Sequence, residues 1–216
     1  MRHAVLLLLL TQTLPAAAQE KAEVKLVVQQ GGREIGREAF SFRPNRGRGL
    51  TGSTITAVAQ YPALNPTTQL SATLERTAEG SLAKFQLDVE SGGAVTVILA
   101  AGSGARLIVR TVGEGSESGR ELPGGPDVVL LDEQVFSLYA AVADLATPAG
   151  RPLTAVFPRS GKRATFTARR ESGSPGAGPM RITLSGDLTG TLVTDGQGRV
   201  QRMELPSQGL LVTRAD

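Results

Sequence analysis

Hydrophobic and polar residues alternate along most of this chain, a pattern typical of β-strands with one buried and one solvated face. Val24, Leu26 and Val28 begin the pattern, and Gly31 and Gly32 follow where the chain should reverse into a second strand ending near Phe42. Further candidate strands are residues 50–61, 68–77, 82–90, 94–101, 105–112, 153–157, 163–169, 180–184, 188–194, 199–205 and 210–213. We therefore expect a mainly β fold, with a single antiparallel, strongly curved sheet or half-barrel of about ten to twelve strands.

One stretch departs from alternation and has a helical period instead. Six apolar residues recur at spacings of three and four, which places them on one helix face: Val135, Phe136, Tyr139, Val142, Ala143 and Ala146. Asp132 has the carboxylate expected of an N-cap, while Thr147 and Pro148 favour a helix end. The pattern predicts one amphipathic α-helix from Asp132 to Ala146, packed on the concave face of the sheet.

Three segments have little to bury and are predicted to be loops. Residues 44–49 are basic and contain glycine, and residues 172–179 are rich in serine, glycine and proline. The longest, residues 113–127, combines glycine, serine and acidic side chains just before the helix. It could gate a cavity or serve as a solvated connection.

The N-terminus has the pattern of a signal peptide. Arg2 and His3 precede an apolar run from Ala4 to Leu10, and small residues follow up to Ala18. That run is shorter than the roughly 20 residues that span a bilayer. We expect cleavage after residue 18, a single β-rich domain over residues 19–216, no transmembrane segment, and a periplasmic or secreted location in a bacterium.

Composition removes several kinds of chemistry from the mature chain. The sequence has no cysteine, and its one histidine, His3, lies in the expected signal peptide. Histidine-dependent and thiolate catalysis, and the common zinc, copper and haem ligand sets, are therefore excluded. Ser81 and Lys84 match S-x-x-K, but on a strand they point to opposite faces. We expect no cofactor, no metal site and no catalytic residues, unless two carboxylates face one cleft as in a hydrolase.

Charge is distributed unevenly around the predicted helix. Residues 151–170 contain several bases and no acid, whereas acids are frequent in residues 114–133 just upstream. The basic hairpin could bind anionic headgroups; alternatively, it is a solvated hairpin whose arginines pair with the neighbouring acids. Nucleic acid is an unfavourable partner, because the chain has no tryptophan and only 4% aromatic residues.

The order of elements resembles that of bacterial periplasmic half-barrel proteins, the LolA/LolB-like lipoprotein-carrier group and related exported domains of unknown function. The resemblance rests on the predicted signal peptide, the strand run, the helix and short motifs at both ends: Gly36, Glu38 and Phe40 in the opening hairpin, and Asp195, Gly198, Arg199, Arg202, Glu204 and Pro206 near the end. It implies a hydrophobic cavity between sheet and helix that accommodates acyl chains.

Two functions follow for this exported, non-enzymatic and monomeric envelope protein. In the first, it binds a lipid or other hydrophobic ligand between sheet and helix. In the second, it is a structural or protein-interaction domain with a filled core and no small-molecule ligand, and an envelope protein is its partner. The candidate ligand-binding residues comprise an apolar lining and a basic rim: Phe85, Leu87, Ile98, Phe136, Tyr139, Arg159, Lys162 and Arg163.

Overall fold

Fifteen strands pair into one sheet in the computed structural model, which describes residues 23–47, 50–173 and 177–215. Every neighbouring pair is antiparallel except β9 with β10. The strands are β1 Val24–Gln30, β2 Arg33–Gly47, β3 Leu50–Tyr61, β4 Thr68–Thr77, β5 Leu82–Ser91, β6 Ala94–Ser103, β7 Arg106–Gly113, β8 Ser116–Pro123, β9 Val128–Leu130, β10 Arg151–Val156, β11 Arg163–Ser172, β12 Met180–Gly186, β13 Gly190–Thr194, β14 Val200–Leu205 and β15 Leu210–Arg214. The predicted signal peptide lies outside the described residues.

The mainly β prediction is confirmed, but the predicted number of ten to twelve strands is wrong. Strand β8 occupies most of the segment predicted as the loop 113–127, and β9 follows it. Strand β8 pairs through its backbone with β7 over its whole length, while nearly all its side chains are exposed. An exposed strand of this kind has no alternating apolar residues, so its sequence resembles a loop. The predicted basic loop, residues 44–49, is also wrong for residues 44–47, because β2 extends to Gly47; residues 48 and 49 lie outside the described residues.

The sheet is a nearly closed barrel, and the prediction of an open half-barrel is wrong. Its two edge strands, β8 and β9, are consecutive in the chain but do not pair with each other. The two ends of the sheet nevertheless come into contact, since Arg120 of β8 donates a hydrogen bond to the carbonyl of Pro158, just after β10, at 2.7 Å. The side chains that alternate inward from the strands form the apolar core.

The helix is shorter than predicted and is buried rather than amphipathic. It consists of a 3-10 helix, Phe136–Tyr139, continued by α1, Ala140–Leu145. Asp132 is not its N-cap, because the chain is still extended at Val135. All residues from Phe136 to Leu145 are buried except Asp144, so the helix fills the barrel interior. Within the described residues, no helix is long and apolar enough to cross a membrane.

Candidate functional site

The five apolar residues predicted to line a cavity lie together in the barrel core. Phe85 and Leu87 of β5 are 0% exposed, while Ile98, Phe136 and Tyr139 are each 2% exposed. A side chain lining a space large enough for water would keep accessible surface inside that space. These five residues therefore line no ligand-sized cavity, and they are packed as in an ordinary protein core. Their ligand-binding role stays a prediction.

A buried carboxylate of the sheet caps the start of the helix. Glu38, on the inner face of β2 and 2% exposed, accepts hydrogen bonds from the backbone N–H groups of Phe136 at 2.8 Å and Ser137 at 3.0 Å. Such N–H groups have no partner within a helix, so a distant carboxylate satisfies them. Burial raises the pKa of Glu38 to about 7, although the hydrogen bonds it accepts oppose the rise.

Tyr61 holds the segment just before the helix. Its hydroxyl donates a hydrogen bond to the carbonyl of Gln134 at 3.0 Å, and burial raises its pKa. Gly36 on the neighbouring strand makes room for this ring, because a Cβ at Gly36 would overlap the Tyr61 ring. The small residue and the aromatic residue therefore form one unit that fixes the entry to the helix.

Asp132 and Arg159 form a bidentate ion pair next to the segment that precedes the helix. The Arg159 Nε donates to Oδ2 of Asp132 at 3.0 Å, and its Nη2 donates to Oδ1 at 2.9 Å. Asp132 is fully buried and also accepts the N–H of Gln134 at 2.8 Å. Burial raises the pKa of the Asp132 carboxyl, and the Arg159 charge opposes this effect. Arg159, which we predicted to bind a headgroup, is thus already engaged with the protein's own carboxylate.

Two further bases of the predicted hairpin pair with upstream acids, and a third is exposed. The ammonium of Lys162 lies 3.6 Å from the Glu133 carboxylate, and the Arg151 guanidinium lies 2.7 Å from Asp127. Arg163 is exposed at the start of β11. The interpretation of this segment as a hairpin whose bases pair with upstream acids is therefore confirmed for Arg151, Arg159 and Lys162.

A second buried charge, missed from the sequence, holds the middle of the helix. Arg76 of β4 is 5% exposed, and its guanidinium donates to the carbonyl of Ala141 at 3.0 Å and to that of Gly80. Burial lowers the pKa of Arg76 to about 10. Arg76 is in phase with the buried positions of its strand, as Glu38 is on β2. A charged residue at an inward-facing position of a strand was the sequence signal that could have identified Glu38 and Arg76 as buried contacts.

The carboxylates of this network are engaged in holding the helix and its approach. Glu38 and Asp132 already accept hydrogen bonds from the backbone and from Arg159. Neither carboxylate lines either of two surface grooves, which have volumes of about 540 Å³ and about 240 Å³. Among the described residues, no three or more His, Cys, Asp or Glu side chains are grouped so that they could hold a metal ion.

Comparison with known proteins assigns no family. No protein-family model matches the chain, and no curated protein matches it. A solved structure of a DUF1089 family protein from Pseudomonas aeruginosa is similar at 14% identity, with a TM-score of 0.49, over 81% of this chain and 91% of that one. This similarity is too low to support an assignment of family or function. The resemblance to lipoprotein carriers stays a prediction, and the geometry of the site is the basis for a functional proposal.

Proposed function

We propose that this chain is an exported, non-enzymatic envelope protein that acts through its surface, as a structural or protein-interaction domain with a filled core. One observation carries the proposal: the five side chains predicted to line a ligand cavity are at most 2% exposed. A binding site for a lipid or a drug-sized ligand usually needs a space of about 300 to 1,000 Å³. Close packing at those residues favours a protein whose interior stabilises the fold.

The polar network supports the same proposal. Side chains from three strands form hydrogen bonds with the helix or with the segment that precedes it. They are Glu38 on β2, Tyr61 on β3 and Arg76 on β4. The Arg159–Asp132 pair fixes the approach from the far side of the barrel. A lid that admits a ligand needs few attachments, whereas this helix is attached at its start and in its middle by buried groups.

Overpacking distinguishes a filled core from a cavity. Ala100 of β6 faces inward between Phe85 and Val109, and Ala101 beside it faces solvent next to Ile108. We expect Ala100→Leu to lower the free energy of unfolding by about 1–3 kcal/mol, because extra methyl groups find no space in a filled core. Ala101→Leu is the matched control and should change it by less than about 0.5 kcal/mol.

The measurement is urea denaturation of both variants. If Ala100→Leu leaves stability unchanged or raises it, the interior contains unfilled space and the filled-core proposal fails. That outcome would favour the second candidate function, binding of a hydrophobic ligand between sheet and helix. The observation that favours the second candidate is that the helix belongs to one large apolar cluster with the inward side chains of the sheet, so a ligand between sheet and helix would contact many apolar groups.

A further inference from the structure

The sheet has one long free edge, on strand β8. We propose that an extended segment of a partner protein adds to this edge as a further strand and places a carboxylate opposite Arg120. The proposal rests on the proposed function as a protein-interaction domain, since it names the surface and the kind of partner. It does not depend on how the barrel interior is filled, so the two can fail separately.

The backbone of β8 has unused hydrogen-bonding groups along its outer edge. Gly124, directly after the strand, donates to the carbonyl of Ala105 at 2.8 Å. Bonded and non-bonded pairs alternate along an antiparallel ladder, so the even-numbered residues of β8 bond to β7. The N–H and C=O groups of Glu117, Gly119 and Glu121 therefore point away from β7, and in the described part of the chain no strand pairs with them.

The devices that usually protect an edge strand are mostly missing from β8. Natural edges are often very short, bulged, interrupted by proline or covered by another element. Strand β8 has eight residues, pairs with β7 without a register shift, and has its proline only at the last position, Pro123. All its side chains except Leu122 are exposed. The opposite edge of the sheet, β9, has only three residues, so β8 is the edge long enough to take up a strand.

The acidic side chains of β8 are already neutralised on the outer face of the hairpin. Glu117 lies 2.6 Å from the guanidinium of Arg110, and Glu121 lies 3.4 Å from that of Arg106. Both arginines belong to β7. The β7–β8 hairpin therefore balances its own charge on this face and does not repel an acidic segment from the edge.

The inner face of β8 carries a positive charge that is not neutralised. Arg120 is paired with Val109 of β7, which is buried, so the two side chains lie on the same face of the sheet. The Arg120 guanidinium donates to the carbonyl of Pro158 at 2.7 Å. A carbonyl satisfies one donor but leaves the charge, and the side chain is exposed.

Carboxylates of the chain itself are engaged elsewhere. Asp132 and Glu133 face the loop that follows β10, but they pair with Arg159 at 2.9 Å and with Lys162 at 3.6 Å. Within the described residues, Arg120 has no ion-pair partner. A carboxylate from outside the chain is therefore the group that complements this position.

A strand added to β8 brings such a carboxylate close. Because Arg120 bonds to β7, it meets the added strand in a non-hydrogen-bonded pair, the kind in which opposite side chains are closest. A second copy of β8 does not supply the acid, since cross-strand neighbours share a face and both Glu117 and Glu121 lie on the other face. The occupant is therefore a different chain, extended and with acidic residues at alternate positions.

Fluorescence anisotropy with labelled peptides of about ten residues tests this inference on the mature protein. The probe alternates threonine and glutamate, so that all its carboxylates share one face of an extended strand, and glutamine replaces glutamate in the matched neutral peptide. The wild type should bind the acidic peptide saturably and about tenfold more tightly than the neutral one, because charge-assisted hydrogen bonds are the stronger ones. Arg120→Gln should reduce this preference to about twofold or less.

Two variants at one position test the backbone edge. Gly119→Pro removes an N–H that points away from β7 and should weaken binding of the acidic peptide by about tenfold or more. Gly119→Ala keeps this N–H, and a Cβ at Gly119 meets no atom within 4 Å, so its affinity should stay within about twofold of wild type. The urea midpoint of each variant confirms that it folds.

Three results would overturn the inference. They are no saturable binding of the acidic peptide to the wild type, equal affinities of the acidic and neutral peptides, and equal affinities of the two Gly119 variants. Amide exchange locates the bound peptide, since the N–H groups of Glu117 and Glu121 should exchange more slowly in the complex. Each of the three results would leave the filled core standing, because that proposal is tested by Ala100→Leu.

Discussion

The buried carboxylate of Glu38 makes a specific prediction about pH. Its pKa is raised from 4.5 to about 7 in the folded chain, mainly by burial. Between these values, the folded state keeps a proton that the unfolded state releases. The contribution of Glu38 to the free energy of unfolding is therefore fully present below about pH 4.5 and is lost as the pH rises through about 7. Above that pH, the free energy of unfolding no longer changes with pH because of this group.

The size of this stability change follows from how far the pKa of Glu38 is raised. Each unit of pKa difference between the folded and unfolded states corresponds to about 1.4 kcal/mol, so the change from 4.5 to about 7 amounts to about 3 kcal/mol. Glu38→Gln cannot ionise and removes this pH dependence. It also takes away one acceptor oxygen, which costs about 1–3 kcal/mol at every pH because a buried N–H of Phe136 or Ser137 loses its partner.

Urea unfolding followed by far-ultraviolet circular dichroism, from pH 4 to pH 8, measures the effect. The free-energy difference between wild type and Glu38→Gln should change by about 3 kcal/mol across this range, in favour of the variant at high pH. Glu34→Gln, on an exposed residue of the same strand, is the control and should leave the wild-type profile almost unchanged. A constant difference between wild type and Glu38→Gln would refute the reasoning.

Two further substitutions test the contacts that hold the helix entry. Arg159→Ala should lower the free energy of unfolding by about 3 kcal/mol, because it leaves the buried Asp132 carboxylate without its partner; Arg163→Ala, on the exposed base nearby, should change it by less than about 0.5 kcal/mol. Equal effects of the two arginine variants in urea titrations would contradict the role given to the ion pair. Gly36→Ala should cost about 1–3 kcal/mol by displacing the Tyr61 ring, and thermal unfolding as stable as wild type would show that the ring has room.

Strands with one buried face could be predicted well from the sequence. The last hairpin is an example: β13 and β14 flank the predicted turn, in which Asp195 accepts hydrogen bonds from the N–H groups of Gln197 and Arg199. Local sequence specifies such a turn, because its partners lie two to four residues apart. Strand β8 could not be predicted in this way, since it is held by backbone pairing with β7 and buries almost no side chain.

The helix boundary and the polar network depend on partners far away in the sequence. Asp132 has the residue type of an N-cap, but the structure uses it to bind Arg159, while Glu38 caps the helix from 98 residues away. A local pattern cannot reveal a cap that arrives from another strand. The apolar side chains of the site were predicted to lie together, and they do, but periodicity does not distinguish a packed core from a cavity wall.

Whether the interior is filled can be measured by native mass spectrometry, with lipid extraction, on mature protein purified from a periplasm without detergent. A protein with a filled interior should keep its bare chain mass after envelope lipids are added, because Phe136 and Tyr139 are each only 2% exposed and leave no room for a lipid. A stoichiometric lipid or other hydrophobic molecule that copurifies with the wild type, and is lost when Phe136 or Tyr139 is replaced by a polar residue in a variant that still folds, would contradict the claim and establish the interior as a binding site.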